Sequence, residues 1–211
     1  MFRLTGALCA SQPNIAASCF VHPSSVLIGK VILQSDCSIW PLAVLRGDVN
    51  KISVGARSNI QDGAVIHCTG NWGGSNSGST TVLGENVSVG HRAILHGCTI
   101  KDNALIGMGA IIMDGSVVES DVIIGAGSLV PAKKILSPGL WLGQPAVRQR
   151  DLTTAEKQWI REGNLMLHNF CCYSPEILCM LPRSRCRVVW IALGPFLPRQ
   201  EAEGNKKEAA G

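Results

Sequence analysis

Aromatic side chains are scarce in this sequence, with one Tyr, four Phe and five Trp among 211 residues. A core built without many rings must be packed from aliphatic side chains, and the 23 glycines suit a fold with many tight turns, so a helical bundle is disfavoured. Charge is sparse too, at 16% against 46% hydrophobic residues, which is too apolar for a disordered chain and enough for one substantial core. The formal charge of +4 comes without an arginine- or lysine-rich run in the first 170 positions, which argues against a nucleic-acid partner. No apolar stretch near the end approaches the roughly 20 residues that span a bilayer. Val188 to Leu197 is interrupted by Gly194 and Pro195, so no membrane association is expected. The nine cysteines include no CxxC pair, and the N-terminus lacks a basic region followed by an apolar stretch and cleavage site. A reducing, cytoplasmic location is expected.

What the sequence does contain is a repeat. Stepping by six from Val82 gives Val82, Ser88, Ile94, Ile100, Ile106, Ile112, Val118, Ile124 and Val130, aliphatic at every step except Ser88. Four residues after each of these from Ile94 onward stand Cys98, Ala104, Ala110, Ser116, Val122 and Ser128, all small or β-branched. The same beat runs upstream in a shifted phase through Val54, Ile60 and Ile66, with Ser58 and Ala64 in the small positions, and Ile28-Gly29 reads as an earlier unit. A helix would space apolar residues at three and four, and a half-buried strand at two, whereas a period of six fits short strands separated by turns. The pattern resembles the hexapeptide repeat of left-handed parallel β-helices, in which each coil is a triangle of three faces and each face takes one hexapeptide. The expected fold is therefore all-β, a left-handed parallel β-helix over residues 1–150.

Two interruptions stand out. Residues 69–81 (TGNWGGSNSGSTT) are rich in glycine and serine and read as a loop extruded from the prism. After Val130 the beat stops, and Pro131, Pro138 and Pro145 mark irregular chain. Thr153 and Glu156 have the spacing of a capping box, predicting a C-terminal α-helix over 151–170. Trp159, Ile160, Leu165, Leu167 and Phe170 would supply its apolar side, laid along the β-helix. Residues 171–211 carry no sustained period and read as an atypical, poorly ordered tail.

Three histidines stand in the repetitive part: His67, His91 and His96. Neutral imidazole is the commonest protein ligand of zinc, and three of them leave a fourth position for water. Because His91 and His96 are five apart, they should leave adjacent faces of one prism, so a single prism does not bring both to one metal. A neighbouring subunit does, which points to a symmetric trimer with metal sites in the clefts between prisms.

Upstream of these lie Arg46-Gly47-Asp48, then Asn59-Ile60-Gln61-Asp62-Gly63 and Ile66-His67, and downstream VGHRAILHGC over 89–98. Together these motifs resemble those of the γ-class carbonic anhydrases and their close bacterial relatives, over about residues 15 to 170. The resemblance implies a homotrimer with zinc, or alternatively Fe2+ or Co2+, between subunits, His67 and His96 coming from one chain and His91 from the next. It implies hydration of carbon dioxide to bicarbonate by hydroxide, which a divalent cation makes available by lowering the pKa of a bound water from about 15.7 toward 7. Gln61, an amide that both donates and accepts, would orient the nucleophile and substrate. Asn59 would help position them, and Arg46 with Asp48 or Asp62 would pair across the subunit boundary. Gly47 and Gly63 read as turn residues.

The chain also departs from the family pattern. Where active members carry an acidic residue just after the RxD element, this chain has Val49, and the loop after His67 contains no carboxylate, so proton export should be slow. Three other readings share the fold: a non-catalytic metal-binding scaffold or assembly subunit, a metal-dependent thioesterase, and a hexapeptide acyltransferase using coenzyme A. His22 and His168 are expected on the surface, and Cys68 and Cys98 as small apolar filling.

Overall fold

The computed structural model describes residues 11–71 and 78–173, with side chains as far as Gly163. The greater part of the segment read as a tail, from residue 174 on, lies outside the described residues. The chain forms β1 (Asn14–Ile15), β2 (Phe20–Val21), β3 (Val26–Leu33), β4 (Ser38–Ile39), β5 (Val44–Val54), β6 (Asn59–Ile60) and β7 (Val65–His67). After the loop come β8 (Thr81–Leu83), β9 (Ser88–Val89), β10 (Ile94–His96), β11 (Thr99–Ile100), β12 (Leu105–Ile106), β13 (Ile111–Ile112), β14 (Val117–Val118), β15 (Val122–Ile124) and β16 (Leu129–Val130). The chain continues with β17 (Ile135–Leu136), β18 (Gly139–Leu142), β19 (Val147–Arg150) and the helix α1 (Thr154–Tyr173).

These elements build a left-handed parallel β-helix with one C-terminal helix. The first face stacks β5, β7, β10, β13 and β16, the second stacks β5, β8, β11, β14 and β17, and the third runs from β2 through β4, β6, β9, β12 and β15 to β18. All of these pairings are parallel and in register, Thr99 meeting Val117 and Leu105 meeting Ile123 one coil later. Strands β3 and β5 are long because each bends round a corner and serves two faces. There the two strands approach so closely that a Cβ on Gly47 would lie 2.8 Å from Lys30 O. Gly47 is thus required by strand contact, while Gly63 (φ 67°) does serve a turn.

The core is a column of inward aliphatic side chains, and its phase differs from the sequence expectation. The core residues are Leu83, Val89 and Leu95, each one position after Val82, Ser88 and Ile94; Ser88 is buried at 8% exposure, but Ile94 is 40% exposed. From Ile100 through Ile106, Ile112, Val118, Ile124 and Val130 the expected positions are fully buried. The two phases meet at a step of five between Leu95 and Ile100, where Gly97 takes φ 54° and shortens the corner. The small positions Cys98, Ala104, Ala110, Ser116, Val122 and Ser128 are all buried. Upstream, Val54, Ile60 and Ile66 are buried as expected, but the earlier unit turns Leu27 toward the core, the neighbour of Ile28.

The repeat also runs further than the prolines suggest, since Leu136 is fully buried in β17 and Trp141 closes the column in β18. Thr81, read as the end of the loop, already belongs to β8, and the loop's base is held by a Thr69–Ser79 bridge. At the helix start Thr153 N donates to Glu156 Oε2 at 2.8 Å and Glu156 N to Thr153 Oγ1 at 3.2 Å, a complete capping box. The helix runs against β2, β4 and β6. Ile160 is buried beneath it whereas Trp159 is 60% exposed, because adjacent helical residues point about 100° apart and cannot both face the sheet. Leu165, Leu167 and Phe170 lie outside the described side chains.

The corrected phase is testable by denaturant unfolding. Leu83→Ala is expected to cost about 2–5 kcal/mol, and Val82→Ala, at the neighbouring partly exposed position, markedly less.

Candidate metal site

On the first face, strand alternation sends Arg46 and Asp48 of β5 outward on either side of Gly47, and register makes Arg46 the partner of His67 in β7 and His67 the partner of His96 in β10. Two imidazoles are thereby stacked on successive coils, ring centroids 5.0 Å apart, with His67 Nδ1 and His96 Nε2 separated by 3.0 Å. A carboxylate backs each ring. Asp48 Oδ1 lies 3.0 Å from His67 Nε2, and both oxygens of Asp114 lie 3.0 Å from His96 Nδ1. Arg46 Nη1 donates to Asp48 Oδ2 at 2.6 Å, and its Nη2 stands 3.5 Å from His67 Nδ1. The Thr69 hydroxyl donates to Asp114, and Asn50 Nδ2 donates to Thr69 O at 3.1 Å.

This order dictates where the imidazole protons sit. A carboxylate accepts, so the nitrogen facing it carries the hydrogen: Nε2 on His67 and Nδ1 on His96. The two remaining nitrogens then face each other at 3.0 Å, a gap that a shared proton or a bound cation would bridge. Two nitrogens on a tetrahedral zinc at about 2.0–2.1 Å stand roughly 3.3 Å apart, close to the observed separation. Carboxylates behind the rings are also what fixes the tautomer of metal-ligating histidines. The donor set therefore fits a divalent cation.

Burial raises the Asp48 carboxyl, but hydrogen bonds from Arg46 and His67 outweigh this and hold it below its ordinary range. Asp114 is likewise raised by burial and lowered further by Thr69 and His96, with a net downward shift.

The other expected residues lie elsewhere. His91 is in the turn that opens the first face, at the edge opposite His96, and its Nδ1 lies 3.0 Å from Asp62 Oδ2. Within one chain Arg46 pairs with Asp48 and Asp62 with His91. Residues two apart on a strand share a face, and Asp62 and His91 occupy one corner on successive coils. Gln61 lines a groove with His91, Gly90 and Met108. Asn59 is buried and donates from Nδ2 to Ser88 Oγ at 2.9 Å, tying two coils together. His22 is partly exposed, with Nδ1 2.8 Å from Ser24 Oγ and burial holding its pKa down. His168 lies outside the described side chains. Burial pushes the Cys98 thiol up to about 12 and raises that of Cys68, so both act as filling. Among the described residues, no group of three or more His, Cys, Asp or Glu within the chain is arranged to hold a metal ion.

Asp114 does not stand out in the sequence. The signal for it is the coil spacing: β10 pairs with β13 at a step of 17, so Asp114 stands just past the register partner of His96, opposite Gly97.

Because both carboxyls titrate below the unfolded value of about 3.9, each contributes stability that is present above about pH 4 and lost as pH falls through its folded pKa. The double variant D48N/D114N, free of metal, is expected to lose stability less steeply than the parent between about pH 4 and pH 2, as read by urea midpoints across that range.

Residues 97–132 match the family described as bacterial transferase hexapeptide (six repeats). The chain is 49% identical over 150 residues to the protein YrdA of Escherichia coli, covering 71% of this chain and 82% of that protein. It is 44% identical over 155 residues to gamma carbonic anhydrase 2, mitochondrial, of Arabidopsis thaliana, covering 72% of this chain and 55% of the plant protein. A crystal structure of a hexapeptide transferase family protein from Anaplasma phagocytophilum superposes with a TM-score of 0.71 at 37% identity, covering 77% of this chain and 93% of that one. No helix among the described residues is long and apolar enough to cross a membrane. With the stacked coils and these relatives in hand, the chain belongs to the hexapeptide-repeat family, within the superfamily that includes γ-carbonic anhydrases and acyltransferases.

Proposed function

We propose that this chain is a metal-binding protein of the γ-carbonic-anhydrase type, in which His67 and His96 of one copy and His91 of another would hold a divalent cation, zinc first and Fe2+ or Co2+ as alternatives. The reaction proposed for it is reversible hydration of carbon dioxide. The observation that carries this reading is the pair of imidazole nitrogens facing each other at 3.0 Å with a carboxylate behind each ring. Assembly is supported by the surface between the histidines. Val65, Ile94 and Ile111 form one ladder across the first face and are 38%, 40% and 38% exposed. A second copy covering this apolar stripe would bring its own His91 to the pair, and three copies close a ring in which every interface is the same.

A bound divalent cation supplies an acidified water, and so a nucleophile, near neutral pH. The protein's own residues do the rest. Asp48 and Asp114 hold the two rings in the ligating tautomer, and Arg46 fixes Asp48. Gln61 shares a groove with His91 and would arrive with it, offering an amide that orients both water and carbon dioxide. Asn59 acts at a distance by holding the coil that carries Gln61.

A second reading is a metal-binding scaffold or assembly subunit without rapid turnover. It is favoured by Val49 and by the absence of a carboxylate from residues 69–81, which leave no acid in the loop to carry protons to buffer. Acyl transfer from coenzyme A or thioester hydrolysis is supported by the transferase names in the family and by the apolar groove of Leu105, Met108, Ile123 and Trp159 beside His91.

Stopped-flow hydration by the zinc-loaded protein, with and without imidazole buffer, separates these readings. Turnover raised by imidazole supports hydration limited by proton transfer. Silence with zinc bound supports the scaffold or acyl chemistry, the latter read by thioester cleavage. His91→Ala and His96→Ala should each reduce zinc content below about a tenth of the parent while the fold persists, and their co-expression should restore about a quarter of the sites. Full zinc occupancy in His91→Ala would exclude the shared site.

A further inference from the structure

Away from the histidines, the first two coils carry a pair of thiols. Cys19 and Cys37 immediately precede Phe20 and Ser38, which are register partners in β2 and β4, and Phe20 N donates to Cys37 O at 2.8 Å. The two cysteines therefore occupy one column of small inward positions, continued in later coils by Ser58, Val87 and Ala104. In-register neighbours in a sheet stand about 4.8 Å apart, inside the roughly 4.4–6.8 Å Cα separation over which a disulfide closes. Register turns both side chains the same way, and each thiol donates to a backbone carbonyl of its own surroundings. Their surroundings differ. Cys37 is fully buried, with Sγ 3.2 Å from Gly55 O, whereas Cys19 is part-exposed, with Sγ 2.9 Å from Gln34 O. The Cys37 thiol beside it pulls Cys19 below the ordinary thiol range, against burial and the Asp36 carboxylate, which both raise it. Cys37 is pushed up, first by its contact with Cys19 and then by burial. The more accessible sulfur is thus the better nucleophile, and the buried one is its neighbour across the ladder.

We propose that Cys19 and Cys37 form a reversible disulfide that staples the first coil of the β-helix to the second when the chain meets an oxidised low-molecular-weight disulfide. The Cys19 thiolate attacks one sulfur of that disulfide and expels a thiolate, which takes up the proton Cys19 gave to solvent. Cys37 then loses its proton and attacks the Cys19 sulfur of the mixed disulfide, forming the Cys19–Cys37 bond and releasing the second thiol. Two protein thiols are oxidised, one disulfide is reduced to two thiols, and no other reactant is needed. The step is independent of the histidine cluster and of any metal there.

The test treats the full-length reduced protein with oxidised glutathione, alkylates the remaining thiols after unfolding, and maps the peptides by mass spectrometry. The expected product is a linked peptide pair containing Cys19 and Cys37, two hydrogens lighter than the separate peptides and cleaved by dithiothreitol. Cys37→Ala, which puts into the column the residue the fold already uses at Ala104, should instead accumulate Cys19 as the mixed glutathione disulfide. Amide exchange across residues 14–33 should slow by at least about tenfold on oxidation of the parent. A parent protein in which Cys37 is recovered alkylated, whether Cys19 is free or glutathionylated, overturns the pairing. Formation of the bond without slower exchange overturns its role as a staple.

Discussion

In-register stacking of the coils is the constraint on which everything else in this molecule rests. Each face accepts one inward aliphatic side chain and one small one, and the parallel ladder repeats that choice a coil later, so any residue's neighbours are set by counting along the chain. Leu45, Ile66 and Leu95 are buried in successive coils of the first face, and the residues that follow them, Arg46, His67 and His96, are consequently delivered to one outer column. The site is a by-product of the core's own periodicity. Strand register alone brings the two imidazoles together.

The electrostatic character of the column follows from the same stacking. Along it the order is carboxylate, imidazole, imidazole, carboxylate, from Asp48 through His67 and His96 to Asp114. Asp48 is held in its charged form by Arg46 on the same strand, and Asp114 by Thr69 and His96 from earlier coils. Two anions flanking two imidazole rings create a local field that favours a positive charge at the centre of the row, while the guanidinium of Arg46 keeps the row from being uniformly acidic.

Much of this was legible from residue types alone, and the part that was not has a definite physical cause. The period of six identified the solenoid because only stacked turns sustain it, whereas the spacing of five, which suggests adjacent faces for His91 and His96, corresponds to the turn before β10 and the end of that strand. The inward phase from Val82 to Ile94 was misread by one position, since Val82 and Ile94 are as aliphatic as the truly buried Leu83 and Leu95, and an outward apolar stripe imitates a core when one face is itself apolar. The step of five at Gly97 leaves no mark in composition. Asp114 went unnoticed because nothing local distinguishes it; it matters only through its place one coil after His96. Asn59 is expected near the site from its motif, and its burial and bond to Ser88 are set by coil stacking that residue types alone do not show.

Gly97 carries a consequence for how this surface can change over generations. A Cβ at that position would lie 2.5 Å from Asp114 Oδ1 and 3.0 Å from Thr69 Oγ1, so the glycine is kept by the carboxylate as much as by its own backbone angle. Substitution there would displace the acid that orients His96, and removal of the acid would relax the steric demand for glycine. Positions 97 and 114 should accordingly drift together in lineage, so that a homologue that abandons the histidine column loses both restraints at once.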